Sequence, residues 1–258
     1  MISKEKVEAR ANRISRLVLS FENQIAREVD SSVADISSHL VKTLSTRRGV
    51  VAQSPGNVEK ILALEDVFQH SLNSSSYYPT ILAFVESFVD QMDEFKALQA
   101  SSLLSTSTIA EGDRDVLAGQ GATAAAVIGG HSAQVCNELR QFLGRSLGAL
   151  RLSELVDGAC AIVRKVSRVG PMARDQLDLW FRLYCSLVYR RIEERGTRLS
   201  YSYAGPVTKS TREFCSRLLT GGSLRLDEIS ALDNGQTPDA FLNGGGYGCN
   251  HFWLGEVS

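Results

Sequence analysis

The stretch that decides the fold runs from Ser3 to Ser45 and reads SKEKVEARANRISRLVLSFENQIAREVDSSVADISSHLVKTLS. Its apolar residues recur in ten steps over 37 residues, a mean spacing of 3.7, which is the period of a helix face and not of a strand. These positions are Val7, Ala11, Ile14, Val18, Phe21, Ile25, Val29, Val33, Ile36, Leu40 and Leu44. No Pro or Gly interrupts the stretch, so it predicts one continuous helix about 65 Å long.

A helix of this length has to bury its apolar face, either within its own domain or against another subunit. Helical spacing continues as far as Gly196, which follows a basic last turn. Beyond it, RLSYSYAGP predicts a short strand, STREFCSRLL and LDEISALDNG predict short helices, and the glycine-rich tail predicts a loop or hairpin. The sequence therefore predicts a mainly α fold. An elongated helical bundle with a long N-terminal helix (1–198) carries a small, turn-rich α+β C-terminal module (199–258).

The composition is that of a globular protein without a strong charge bias. Of 258 residues, 43% are hydrophobic and 22% charged, and the formal net charge is -1. The N-terminus lacks the apolar region of a signal peptide, and no apolar run approaches the roughly 18 residues that a membrane span needs. The five cysteines are an odd number and are widely spaced. We therefore expect synthesis in a reducing cytoplasm and no requirement for a membrane.

Charge alternates in blocks along the chain. Residues 1–50 carry nine Lys or Arg and six acids, residues 51–118 three and ten, residues 119–200 twelve and seven, and the remainder four and six. Such blocks favour docking between subunits, whereas DNA binding concentrates basic residues on one face of a basic domain. The basic region nevertheless contains candidate nucleic-acid contacts. They are Arg164, Lys165, Arg168, Arg190 and Arg191.

The tail NGGGYGCNHFW, residues 243–253, places a thiol and an imidazole beside a permissive backbone. Zinc favours three or four ligands of these kinds, and Cys215, Cys249 and His251, with a carboxylate or a water, form one candidate set. The C-x2-C pairing typical of zinc sites is missing, although residues i and i+2 of an extended segment point to the same side. In the alternative, both cysteines are buried apolar side chains and His251 hydrogen-bonds the backbone. The sequence favours this second interpretation, and with it no cofactor.

A cysteine–histidine nucleophile pair is the enzymatic alternative for the same residues. It requires a substrate cleft and an orienting group, for which Asn250 or Asp233 is the candidate. The run Gly244–Gly246 does not make a P-loop, because no strand precedes it, no helix follows it and no Lys-Ser/Thr pair completes it. Other catalytic signatures, such as H-E-x-x-H or G-x-S-x-G, do not occur. We therefore expect a protein that is not an enzyme.

Taken together, YSYAGPVTKSTREFC, GGSLRLDEISALDNGQ and GGGYGCNHFW resemble the C-terminal signature of phage minor head proteins of the Mu-type head-morphogenesis family. In that family an aromatic-Gly-Pro segment leads to Asp-x-x-Thr-Arg-Pro-Phe-Cys, a short helix ends in Leu-Asp-Asn-Gly, and Gly-Gly-Gly-Tyr-Asn-Cys-Arg-His-x-Trp closes the region. The matching positions are Tyr203, Gly205, Pro206, Thr211, Arg212, Phe214, Cys215, Glu228, Ile229, Leu232, Asp233, Asn234, Gly235, Gly244, Gly245, Gly246, Tyr247, Cys249, His251 and Trp253. Thr208, Glu213 and Asn250 depart from the pattern, since they stand where the family has Asp, Pro and Arg.

The resemblance covers about the last 55 residues and leads to specific expectations. The glycines bring the tail back against the strand and the cysteine-bearing helix, so that Tyr203, Cys215, Cys249, His251 and Trp253 form one structural cluster. The resemblance implies a non-enzymatic virion protein, a minor head or portal- or neck-associated component, made in the host bacterial cytoplasm. Its implied partners are other virion proteins of the portal, capsid or neck, and further copies of itself. A DNA-contacting internal or ejected virion protein is the alternative, and a Cys-His hydrolase the second alternative.

Overall fold

Helices make up 71% of the residues that the structure describes, which confirms the predicted mainly α fold. The computed structural model describes residues 4–99, 103–104 and 108–257. The α-helices are α1 (Lys4–Thr43), α2 (Pro55–Leu62), α3 (Leu64–Ser74), α4 (Tyr77–Glu86), α5 (Gln91–Leu98), α6 (Glu111–Ser146), α7 (Leu152–Val163), α8 (Gly170–Glu194), α9 (Glu213–Thr220), α10 (Leu226–Ser230) and α11 (Ala240–Asn243). The strands are β1 (Thr46–Arg47), β2 (Val50–Val51), β3 (Leu199–Ala204) and β4 (Phe252–Val257), and 3-10 helices cover Ser87–Asp90 and Arg164–Ser167. Among the described residues, no helix is long and apolar enough to cross a membrane.

The long N-terminal helix forms as predicted and spans 40 residues. Every position of its apolar stripe is buried except Ala11, which is half-buried. The stripe packs on residues of the same chain. Phe21, for example, stacks on Phe84 with the two ring centroids 4.2 Å apart. Of the two ways to cover this face, the protein uses its own residues, so the stripe itself is not a docking surface for another subunit.

The chain divides into two compact units, each built from segments that are distant in sequence. The first contains Met1–Val18, Val85–Ala124 and Pro171–Ser258, and the second contains Leu19–Phe84 and Ala125–Gly170. The predicted boundary between residues 198 and 199 does not coincide with this division, because α8 packs on the sheet of the C-terminal module. The ring centroids of Phe181 and Phe252 are 5.1 Å apart, and those of Tyr189 and Tyr201 are 5.4 Å apart.

The second unit contains a short hairpin, β1 with β2, that the sequence pattern does not predict. Its turn places Arg48 and Gly49 at positive φ, 53° and 79°. The buried Asn57 holds the hairpin in place. Its Nδ2 donates to the carbonyl oxygens of Ser45 and Ala52, and its Oδ1 accepts from the backbone N–H of Ser45. Because one amide side chain satisfies three backbone groups, it fixes the path of the chain between α1 and α2.

The first unit contains an antiparallel sheet of β3 and β4, in register from Leu199 opposite Val257 to Ala204 opposite Phe252. Strand β3 forms where it was predicted and alternates buried with half-buried residues. The tail GGGYGCNHFW forms neither helix nor strand up to His251, as predicted for a loop, but a strand that was not predicted begins at Phe252. Its first four residues are all buried, so the period-2 pattern of a half-exposed strand is missing from the sequence.

Candidate functional site

Three elements of the first unit bring the five cluster residues together. Strand β3 carries Tyr203, the first turn of α9 carries Cys215, and the segment that enters and forms β4 carries Cys249, His251 and Trp253. All five are buried, with exposed fractions between 2% and 6%. Tyr203 is the centre of the cluster: its ring lies 5.5 Å from that of His251 and 4.6 Å from that of Trp253, between centroids. The structure thus places the residues of the predicted cluster in mutual contact.

The polar atoms of the cluster face one another. The Sγ atoms of Cys215 and Cys249 are 3.8 Å apart, and the Sγ of Cys249 lies 3.4 Å from Nδ1 of His251. The Tyr203 hydroxyl lies 3.4 Å from Cys249 Sγ and 3.7 Å from Cys215 Sγ. The backbone N–H of Gly245 donates to Cys249 Sγ at 3.1 Å. Four side chains therefore converge around one small polar centre inside an apolar unit.

The two thiols differ in their acidity because they interact. The hydrogen bond from Cys215 is the main reason why the pKa of Cys249 is lowered, and His251, Tyr203 and the Gly245 N–H lower it further, against the effect of burial. The same hydrogen bond, together with burial, raises the pKa of Cys215. Burial also raises the pKa of Tyr203, which keeps its phenol protonated. The two thiols therefore titrate as a coupled pair, in which Cys249 is the more acidic partner.

Glycines are required where the tail crosses the cluster. A Cβ on Gly245 would lie 2.2 Å from Cys215 Sγ, and a Cβ on Gly205 would lie 2.4 Å from Cδ2 of the His251 ring and 2.9 Å from the His251 Cα. No side chain fits at these distances, so close backbone approach explains both residues. The absence of side chains in the Gly-rich run therefore lets its backbone lie directly against the sulfur atoms of Cys215 and Cys249.

Two arginines hold the backbone of the tail from outside the cluster. Arg182 of α8 is buried and donates through Nη1 to the carbonyl oxygens of Cys249, at 3.1 Å, and His251, at 3.3 Å. Arg212 donates to the carbonyl oxygens of Gly245 and Tyr247. Sequence reasoning missed the role of Arg182. The available signal was a cation within the otherwise apolar segment LWFRLYCSLVY, where a buried charge requires specific partners.

The interpretation that His251 hydrogen-bonds the backbone was wrong. Nδ1 of its imidazole faces the Cys249 sulfur, and Nε2 is buried without a hydrogen-bond partner in the described structure. The Asn250 side-chain oxygen is also buried without a partner there, and Asp233 accepts from the backbone N–H of Gly235. Neither candidate orienting group therefore bonds to His251, so the third member of a nucleophilic triad is missing from these contacts.

The basic residues proposed as nucleic-acid contacts lie at two helix ends. Arg164, Lys165 and Arg168 are at the end of α7, in the second unit, where Lys165 pairs with Glu138. Arg190 and Arg191 are near the end of α8, in the first unit, where Arg191 lies 3.9 Å from Asp113. Arg164, Arg168 and Arg190 are exposed. These positions supply accessible positive charge, and two of the five cations already have acidic neighbours.

Cys215, Cys249 and His251 are the one group of three potential metal ligands among the described residues, and their ligand atoms all lie within 4.8 Å of one another. Comparisons of the chain with protein-family models, with curated proteins and with solved structures find no match. The resemblance to the phage minor head proteins therefore depends on the motifs themselves, and its functional implication is a proposal.

Proposed function

We propose that this protein is a non-enzymatic structural and assembly component of a bacteriophage particle, a minor head protein or one attached at the portal or neck. It would be made in the host bacterial cytoplasm and incorporated as several copies beside other virion proteins. The proposal comes from the sequence resemblance of residues 203–253. The observation that supports it is that residues from each segment of the resemblance contact the glycine- and cysteine-containing tail.

These contacts explain why the motif residues occur together. Asn234, from the Leu-Asp-Asn-Gly segment, donates to the carbonyl oxygen of Gly244 at 3.0 Å. Arg212, from the Thr-Arg-x-Phe-Cys segment, donates to the carbonyl oxygen of Gly245 at 2.6 Å. Gly205, from the aromatic-Gly-Pro segment, lies directly against His251. Segments far apart in sequence thus pack into one compact cluster. We expect such a cluster to stabilise the fold of a structural protein.

The burial of the cluster supports the non-enzymatic part of the proposal over the hydrolase alternative. Cys249 and His251 are only 5% and 6% exposed, and the Tyr203 ring covers the imidazole. A nucleophilic cysteine has to reach a substrate carbonyl and needs a base that is itself oriented by a third group. The observed contacts of the Cys249 sulfur and the imidazole are instead with groups inside the protein.

The test is incorporation into particles. Bacteria that express this chain during production of the phage are lysed, and the particles are purified on a density gradient. The proteins of the purified particles are then quantified by mass spectrometry. We expect the chain in a constant ratio to the major structural proteins. A Gly245→Ala chain should be incorporated several-fold less, because its Cβ would lie 2.2 Å from Cys215 Sγ. Gly222→Ala is the matched control, since its Cβ meets nothing within 4 Å.

Absence of the wild-type chain from purified particles would contradict the proposal. The remaining alternative, a DNA-contacting internal or ejected protein, is favoured by the exposure of Arg164, Arg168 and Arg190. It predicts that the purified chain binds duplex DNA with an affinity that falls steeply between low and moderate salt, because binding releases counterions from the phosphates. Substituting these three arginines with glutamine should then abolish binding without altering incorporation.

A further inference from the structure

The cluster residues have the chemistry of a transition-metal site. Two thiols and one imidazole are ligands that zinc prefers, and they supply three of the four positions of a tetrahedral site. Two thiolates would neutralise a divalent ion, so the occupied centre would carry no net charge inside the apolar unit. The three ligands come from α9 and from the tail, which are far apart in sequence, as is common where an ion holds loops together.

The observed distances fit a tetrahedral ion. With Zn–S bonds of about 2.3 Å and Zn–N bonds of about 2.0–2.1 Å, tetrahedral angles place two sulfurs about 3.8 Å apart and a sulfur and a nitrogen about 3.5 Å apart. The Sγ atoms of Cys215 and Cys249 are 3.8 Å apart. Cys249 Sγ and His251 Nδ1 are 3.4 Å apart. Two of the three distances between ligand atoms therefore match the spacing that the ion requires, and all three ligand atoms lie within 4.8 Å of one another.

The Tyr203 hydroxyl is a candidate for the fourth ligand, because it lies near both sulfur atoms. Its oxygen is 3.7 Å from Cys215 Sγ and 3.4 Å from Cys249 Sγ, again close to the edge lengths of the same tetrahedron. Because Tyr203 is buried, an ion with this hydroxyl as its fourth ligand would have no position open to solvent. A site closed in this way has the character of a structural metal centre and not of a catalytic one, which keeps an open position.

Packing alone leaves this imidazole poorly satisfied. His251 is 6% exposed, its Nδ1 faces only sulfur, and its Nε2 has no hydrogen-bond partner in the described structure. A buried polar group without a good partner is costly, so a histidine at this position needs another explanation. Coordination through Nδ1 would replace its weak contact with sulfur by a bond to the ion, while Nε2 would keep no hydrogen-bond partner in the described structure.

The backbone around the cluster is arranged as a support for metal ligands. The Gly245 N–H donates to Cys249 Sγ at 3.1 Å, a contact that stabilises negative charge on a sulfur ligand. Arg182 holds the carbonyl oxygens of Cys249 and His251, which fixes the orientation of the two ligands that lie on one short segment. Proteins commonly orient metal ligands through hydrogen bonds of this kind, made by residues that do not bind the metal themselves.

We propose that Cys215, Cys249 and His251 bind one zinc ion, with the Tyr203 hydroxyl at the fourth position, and that this ion locks the C-terminal tail onto α9. The inference does not depend on the role of the protein in a particle. It replaces the interpretation of the cluster as packing alone, which the sequence favoured.

The test uses the full chain purified without a metal-affinity tag. Elemental analysis should find about one zinc per chain. After the zinc is removed with a chelator, Co²⁺ should give the visible absorption of a tetrahedral ion and a near-ultraviolet thiolate-to-cobalt charge-transfer band. Cys215→Ala and Cys249→Ala should lose the metal and the band. Cys185→Ala is the matched control, because Cys185 is equally buried in the same unit but lies outside the ligand set.

A second measurement on the wild-type chain covers the case in which these variants fail to fold. Alkylation followed by mass spectrometry should modify Cys215 and Cys249 faster after the chelator than with zinc bound, while Cys185 changes little. The proposal is overturned if the purified chain contains no zinc and Co²⁺ gives no charge-transfer band. It is also overturned if the folded double variant Cys215→Ala/Cys249→Ala retains zinc.

Discussion

Arg10 is a charged residue on the buried face of the long N-terminal helix, with 3% of its surface exposed. Its guanidinium donates to Oδ1 of Asp178 and to Oε1 of Gln91, each at 3.2 Å. The same group lies 3.9 Å from the ring centroid of Phe181 and 4.9 Å from that of Phe252. One cation therefore connects α1, α8 and β4 within the first unit, next to the segment that carries the cluster.

Removing only the positive partner should be strongly destabilising. In Arg10→Met the Asp178 carboxylate stays buried without its partner, which costs about 3–5 kcal/mol of the free energy of unfolding. The double variant Arg10→Met/Asp178→Leu removes both charges and should recover most of that loss, because apolar replacements of a buried ion pair are commonly neutral or stabilising. Urea unfolding of the two variants and the wild type measures this. A double variant as unstable as Arg10→Met would show that the unpaired Asp178 carboxylate is not the cause of the lost stability.

At the scale of one element, α1 shows how a single sequence pattern determines both helix and core. Phe21 is 2% exposed and stacks on Phe84, whereas Leu19, two positions away, is 57% exposed. Both residues are large and apolar, so composition does not distinguish them. Their positions in the 3.7-residue repeat distinguish them, because Phe21 belongs to the apolar stripe and Leu19 does not.

The two positions give a matched pair of variants. Phe21→Ala should lower the free energy of unfolding by about 3–5 kcal/mol, because it removes a buried ring and leaves a cavity. Leu19→Ala should change it by less than about 0.5 kcal/mol, since the side chain already faces solvent. Thermal and urea unfolding of both variants measure the difference. Equal losses would mean that the observed register of α1 is incorrect.

At the scale of the whole molecule, an element could be predicted from the sequence when the pattern that determines it lies within a short stretch of the chain. The stripe of α1 and the alternation of β3 lie within a few turns or residues, so the sequence predicts both elements. Strand β4 was missed because the partner of Trp253 is Tyr203, 50 positions earlier, and because both faces of β4 are buried. The division into two units was missed because each unit is assembled from separate segments of the chain.

The residues of the candidate site could be predicted, although they come from distant segments of the chain. Its ligand types are visible in the letters Cys-x-His, and a resemblance among distant segments placed Tyr203 and Cys215 beside them. The apolar neighbours of Arg182 in the sequence indicate a buried cation, but its partners, the carbonyl oxygens of Cys249 and His251, could not be predicted without coordinates. The distances between the sulfur and nitrogen atoms, on which the zinc proposal depends, also require coordinates.

The same contacts predict that the C-terminal module does not fold by itself. Residues 199–258 obtain part of their core from Phe181 and Tyr189 of α8 and from Arg10 of α1. A fragment of that size has little apolar surface to bury alone. The isolated fragment, with or without added zinc, should therefore show no cooperative thermal transition by circular dichroism, whereas the full chain should. A cooperative transition in the fragment would support an independent domain.

The measurement that tests the functional account most directly is a density map of the purified phage particle at side-chain resolution. We expect several copies of this chain at the head interior, portal or neck, each with the tail folded over Tyr203 and Cys215. Contacts to neighbours should use exposed residues outside the buried α1 stripe. A complete map of the particle without this chain would contradict the account.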